Sequence, residues 1–379
     1  MKLLEDILVL DFSQFLSAPS ASLRLADMGA RVIKVERPDT GDICRSLYVS
    51  DVEVHGESTI FHAINRNKES FATDLKKPED RAKLNKLIAR ADVMLHNFRP
   101  GVMERLGLDY QRVKEVNPTI IYGSISGYGE VGEWREMPGQ DLLLQAVSGI
   151  TYLSGSADDP PIPMGVAVGD IVAGTHLAQG ILSALYRRLV TGQGAHIQIS
   201  MLESLLDFQF EVITTYLNDG FRLPKRSSVN GAHAYIAAPY GIYKTHDGYM
   251  ALAMGNIPTL GELLDCPPLQ RYRDERSWFD QRDEIKHILK ELLVTKPTAE
   301  WLARLEPADI WCAEVLDYEK LRREEGYRVL QMEQQVHNEA FKLTTTRCPI
   351  RVDGAILKSE RAAPHLGEHN EEIENEFGL

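Results

Sequence analysis

The chain has 379 residues, 44% of them hydrophobic and 26% charged, which excludes a disordered or low-complexity polymer and exceeds what one small core needs. With 42 Lys and Arg against 55 Asp and Glu, the net charge is −13, so phosphate backbones and anionic bilayers are repelled. Neither nucleic acid nor membrane is expected as a partner, and any anionic ligand must be gripped by local cations.

The amino terminus places Glu5 and Asp6 where a signal peptide would be basic, and no apolar run approaches the ~20 residues of a membrane span. Cys44, Cys266, Cys312 and Cys348 are widely spaced, without a CxxC pair or metal-ligand rhythm. Reduced thiols in a cytoplasmic protein without a metal site are the expectation.

Strand and helix signals alternate through the first two hundred residues. Ile7 to Asp11 reads as a strand, Ala21 to Met28 as a helix stopped at Gly29, and Arg31 to Glu36 as the next strand. Phe71 to Leu75, Asp92 to His96, Thr119 to Ile125 and Ala195 to Ser200 read as further strands. Helices are expected over Pro78 to Arg90, Asp109 to Val116 and about Ile171 to Val190. The last has Ile171, Thr175, Ala178, Leu182, Leu185 and Leu189 on one stripe. Strands separated by helices imply parallel pairing, since a parallel crossover needs a dozen or more residues.

Turn residues at Asn218-Asp219-Gly220 open a linker. The domain reading is 1–217 for most of a large domain, 218–232 for the linker, 233–325 for a small α+β domain and 326–379 for a return to the large one. Within the small domain, Tyr240 to Lys244 and Tyr249 to Met254 flank a hairpin turn, followed by helices over Arg276 to Leu293 and Pro297 to Leu305. The acidic tail, Glu368 to Glu376, reads as a solvated helix.

Gly127-Tyr128-Gly129-Glu130-Val131-Gly132 matches GxGxxG after a strand, but an acidic stretch ending at Pro138 follows instead of a helix. The dinucleotide mechanism needs helix amides on the pyrophosphate, so this is read as a loop near a ligand and not a nucleotide cradle. No GxSxG or P-loop occurs, and His62, His96 and His176 read as core or surface residues.

Cations recur where strands end: Arg37, Lys76, Arg99 and Arg105. In an open parallel sheet those ends border the ligand crevice, so the row suits a multiply phosphorylated ligand. Asp170 follows Gly165-Val166-Ala167-Val168-Gly169 at the start of the long helix. Position alone allows two readings: a helix cap, or a nucleophilic carboxylate that the helix dipole keeps ionised.

Many short segments together resemble the class III CoA-transferases. They include Asp11-Phe12-Ser13, Gly29 to Glu36, Asn67-Lys68, Asp74-Leu75-Lys76, Asn97 to Gly101, Ser126 to Gly129, Gln145 to Gly149 and Gly169-Asp170. The resemblance implies an α/β fold with a Rossmann-like large domain, a small α+β domain and an interlocked homodimer. It implies that Asp170 forms covalent intermediates with acyl groups and CoA. Phe15 and Leu16 match positions lining the CoA channel, and Arg37, Thr73, Asp74, Leu75, Lys76, Asn97, Phe98, Arg99 and Arg105 match segments gripping CoA. Acyl-CoA and a carboxylic acid are the implied substrates, with no tightly bound cofactor.

Racemases of the same fold pair the aspartate with a histidine. This chain reads Gly139-Gln140-Asp141 there, and Gln140 is no general base, so it is assigned to the substrate pocket of a transferase. A non-catalytic CoA-binding subunit is the remaining alternative. The glycine run of formyl-CoA transferases is missing around Gly231 to Gly241, and Leu16 replaces their glutamine, which argues against formate and oxalate exchange.

Overall fold

The computed structural model describes residues 2–48 and 52–379. The chain divides into two compact units, one formed by Met1–Leu144, Ala167–Phe208 and Val329–Leu379, the other by Gln145–Val166 and Gln209–Arg328. The sequence reading ran the large domain unbroken to residue 217, whereas the segment Gln145–Val166 groups with the second unit.

The first unit is built on six parallel strands: β1 (Leu8–Asp11), β2 (Arg31–Glu36), β3 (Glu69–Ala72), β4 (Val93–His96), β5 (Ile121–Ser126) and β6 (Ala195–Ser200). Their order across the sheet is 3-2-1-4-5-6, the doubly wound arrangement in which the winding direction reverses between β1 and β4. β4 and β5 are buried along their whole length, as central strands covered on both faces must be. Helices α1 (Ser17–Asp27), α2 (Pro78–Arg90) and α3 (Val168–Thr191) are the crossovers that concern the site.

The third strand begins two residues earlier than Phe71, because the in-register partners of Ile33 to Glu36 are Glu69 to Ala72. The buried face of α3 also differs from the expected stripe. Ala173, Gly174, Leu177, Ile181 and Ala184 turn inward, while Ile171 is 47% and Leu189 84% exposed. Small residues decide this face. A Cβ on Gly174 would lie 2.1 Å from Ser20 Oγ and 2.4 Å from the Ser17 carbonyl oxygen, so α1 crosses α3 in direct backbone contact there.

The carboxy-terminal tail corrects the solvated reading. In α4 (Asn370–Phe377), Ile373 and Phe377 are buried in the cluster holding Leu84, Leu87 and Ile88 of α2. Asn370 clamps the edge strand, accepting from the Ala72 amide at 2.8 Å and donating to its carbonyl at 2.9 Å.

In the second unit, β7 (Gly241–Lys244), β8 (Tyr249–Leu252) and β9 (Cys312–Glu314) form an antiparallel sheet in the order 9-8-7. The expected helix from Arg276 breaks at Gln281 into Glu275–Asp280 and Arg282–Leu293. Tyr243, Met250, Ile285, Leu289, Trp301 and Leu305 share its core. No helix among the described residues is long and apolar enough to cross a membrane.

Candidate active site

The reversal between β1 and β4 leaves a crevice at their carboxyl ends, the place where open α/β sheets bind ligands. Two adjoining cavities occupy the first unit there, sharing Gln14 and Phe98 as a common wall. One, about 430 Å³, is lined by Phe15, Ser17, Asn97, Arg99, Arg135, Gln140 and Asp170 among others. The second, about 920 Å³, is lined by Arg37, Thr73, Asp74, Leu75, Lys76 and Arg105.

A tightly specified loop connects β1 to α1. Phe15 is held at φ +60°, a costly conformation for a bulky residue. Fixed polar contacts impose it: the Phe15 amide donates to Asp42 Oδ1 (3.3 Å), the Gln14 amide to Asn97 Oδ1 (2.9 Å), and Asn97 Nδ2 to the Gln14 carbonyl (2.7 Å). Beneath the loop, Lys34 Nζ donates to the Ser13 carbonyl (2.8 Å) and pairs with Asp42 (2.8 Å), both groups being fully buried. Asp11 accepts from Lys68 Nζ at 3.0 Å. Burial alone would raise the Asp11 carboxyl, but Lys68, Lys34 and the Ser13 and Ser22 hydroxyls outweigh it and hold it at about 2.

Asp170 is the third residue of α3, not its cap. Asp141 takes that role, accepting from the Gly169 amide at 2.7 Å and the Asp170 amide at 3.4 Å. The Asp170 carboxyl is thereby free of its own helix. It is bonded instead by the amide and hydroxyl of Ser17, the first residue of α1. Ser17 Oγ also accepts from Asn97 Nδ2 at 3.0 Å, which leaves its proton directed at Asp170.

The expected electrostatics need correction. Burial first, then the nearby Asp141 carboxylate, push the Asp170 carboxyl up from 3.8 to about 7, against the lowering by Ser17. The helix end does not keep it ionised, because the α3 amides point at Asp141.

The GxGxxG segment has a geometric explanation. A Cβ on Gly127 would come within 2.7 Å of Gly139 Cα, and one on Gly139 within 2.6 Å of Gly127 Cα. Two backbones touch there, closing the ends of the loop between them. Ring packing of Tyr128 on Trp134 at 6.0 Å and the Met137 amide on the Trp134 carbonyl at 2.9 Å fill it. It is an Ω-loop on the rim of the Asp170 cavity.

Of the residues marked in the sequence, Phe15, Asn97, Phe98, Arg99, Gln140 and Asp170 meet in the smaller cavity, and Arg37, Thr73 to Lys76 and Arg105 in the larger. Leu16 borders neither; it packs against Cys44, Phe61, Ile64 and Ala363. The Asn97 side chain spends its hydrogen bonds on the Gln14 to Ser17 loop. Thr73 Oγ1 is buried beside the larger cavity without a partner among the described residues. His96 is buried and neutral, pushed down to about 3 by desolvation and His196, and its Nδ1 accepts the Phe98 amide at 3.3 Å. The reading of the sequence missed Ser17, Asp141 and Arg135, whose only signal was proximity to marked residues.

In the first unit, a cavity bordered by the Asp170 carboxyl thus lies beside a larger one lined by Arg37, Lys76 and Arg105. The chain matches the CoA-transferase family III over residues 4–370 and belongs to that family. It is an enzyme that transfers CoA between an acyl-CoA thioester and a carboxylic acid. It is 34% identical to the acetyl-CoA:oxalate CoA-transferase of Acetobacter aceti over 83% of this chain and 80% of that protein. It is 33% identical to the succinyl-CoA:glutarate CoA-transferase of Mus musculus over 98% of this chain and 86% of that protein. A CAIB/BAIF family protein of Brucella suis superimposes with a TM-score of 0.85 at 31% identity, covering all of both chains.

Proposed function

We propose that Asp170 carries the transfer covalently. Its carboxylate attacks the thioester carbonyl of the donor, giving a mixed aspartyl anhydride and the CoA thiolate. The thiolate attacks the aspartyl carbonyl, forming an aspartyl-CoA thioester and releasing the donor acid as a carboxylate. The acceptor carboxylate then attacks that thioester, the thiolate leaves, and its return to the acceptor's acyl carbon regenerates Asp170. No bond energy is lost to water, so the thioester is conserved through each exchange.

The observation that carries this reading is that Asp141 relieves Asp170 of capping, so the Asp170 carboxyl borders the cavity. The larger cavity is the proposed seat of the CoA phosphates, with Arg37, Lys76 and Arg105 as their counter-charges and Thr73 Oγ1 as a further donor. Leu75, Asp74 and Phe98 contribute walls, and Phe15 and Gln140 border the reacting end. The acid class is proposed to include dicarboxylates longer than oxalate, since glutarate is named for the Mus musculus relative.

A second copy of the chain is proposed as partner, in the interlocked homodimer that the resemblance implies. Ile171, Tyr186, Leu189 and Val190 support it, since one helix leaves them 47–84% exposed. A cytoplasmic setting, with CoA only as substrate, completes the proposal.

The test is Asp170→Ala, expected to lower transfer by about 10³-fold or more while CoA still binds. Hydroxylamine quenching of wild type with acyl-CoA should convert the Asp170 side chain to a hydroxamate, read by peptide mass. Full activity in the variant would remove Asp170 from the chemistry.

A further inference from the structure

The smaller cavity contains a cation that CoA does not account for. The phosphates of CoA require the cluster of Arg37, Lys76 and Arg105 in the larger cavity, and the pantetheine arm that connects them to sulfur is uncharged. Yet two guanidinium groups, Arg99 and Arg135, border the cavity of Asp170. Arg99 also borders a small recess where Glu104, Asp109 and Glu130 supply negative charge. Arg135 meets Glu136 in a loose contact at 3.6 Å through Nε and has Glu130 as a further acidic neighbour, so among the described residues no close ion pair holds it. That Nε is shut off from solvent without a hydrogen-bond partner among the described residues.

The backbone around Arg135 is built to hold it there. Gly127 and Gly139 close the loop base, the Arg135 amide donates to the Gly132 carbonyl at 3.3 Å, and Trp134 beside it packs on Tyr128. Against a net charge of −13, an acid with two carboxylates enters this cavity only if the one that does not react finds a cation. A guanidinium offers that carboxylate a paired, charge-assisted fork.

We propose that Arg135 binds the distal carboxylate of a dicarboxylic acyl acceptor, presented by the Gly127–Gly139 loop, and so selects diacids over monoacids. This rests on the CoA-transfer reading above. Acceptor kinetics of wild type, Arg135→Gln and Arg135→Lys should be measured with glutarate against pentanoate and succinate against butyrate. Inhibition by free CoA reports coenzyme binding independently of any acyl group.

In Arg135→Gln the KM for the diacids should rise about 10–100-fold while the monoacid constants and the CoA inhibition constant stay within twofold. Arg135→Lys should recover part of the loss. Equal effects on diacids and monoacids, a rise confined to CoA inhibition, or a wild type that favours monoacids would each overturn the assignment. Absence of transfer to any acid in wild type would instead sink the underlying transfer reading, so the two failures are distinguishable.

Discussion

Two sets of cations lie within the first unit, and they are treated in opposite ways. Lys34, Lys68, Arg45 and Arg66 are almost wholly buried, and each is matched to a carboxylate: Asp42, Asp11, Glu36 and Asp27 respectively. Arg37, Lys76 and Arg105 are exposed around the larger cavity, and among the described residues none has an ion pair. A buried cation must carry its own counter-charge, because desolvation penalises an isolated one by several kcal/mol. A cation kept in water can wait for a counter-charge brought by a ligand. In the first set, Lys34 and Lys68 tie down the segment between β1 and α1, while the second set is the one proposed to bind the coenzyme.

The largest effect that could break this contrast is on stability. Lys68→Met would strand the buried Asp11 carboxylate and should cost about 3–5 kcal/mol in denaturant unfolding. An unchanged midpoint would mean that the pair is not structural. Next, Arg37→Gln and Arg105→Gln should leave unfolding within about 0.5 kcal/mol of wild type, while each raises the KM for acyl-CoA by about tenfold. Their penalty should shrink at high salt, as screening removes what exposed charges contribute. A loss of stability instead would move these arginines into the first set.

A third test concerns pH. The Asp170 carboxyl ionises at about 7 in the folded chain against the ordinary 3.8, so between those values the folded state binds more protons than the unfolded one. Its contribution to stability therefore falls as pH rises through that window and levels off above it. Asp170→Asn should melt with wild type below pH 4 and several degrees higher at pH 8, by differential scanning fluorimetry. For wild type, kcat/KM should rise through about pH 7 as the proposed nucleophile, Asp170, ionises. Coincident melting curves at all pH values would place Asp170 in a more open setting.

Many residues lining the two cavities were legible before the fold. The cations were found by their position after strand ends, a rule that depends only on sheet geometry. Asp170 was found with two meanings, a cap or a nucleophile, and local sequence could not separate them. Asp141, which takes the capping role, stands 29 positions away and reaches the same helix end only through the fold. The family resemblance implies that Leu16 lines the ligand channel, but past the turn of the chain at Phe15 it packs into a different cluster. The α3 stripe was misread because periodicity marks large apolar residues, whereas Gly174 and Ala173 set the closest contact.

Periodic apolar runs, intervening helices and the placement of basic residues belong to the sequence alone, since each follows from short-range backbone geometry and charge. From them came the parallel sheet and the side on which a phosphorylated ligand would bind. Tertiary structure alone decided which carboxylate is spent and which is free, which cations are already neutralised, and where Gly127 meets Gly139. Those outcomes depend on contacts between residues far apart in the chain, where desolvation and packing, not local preference, set the energy.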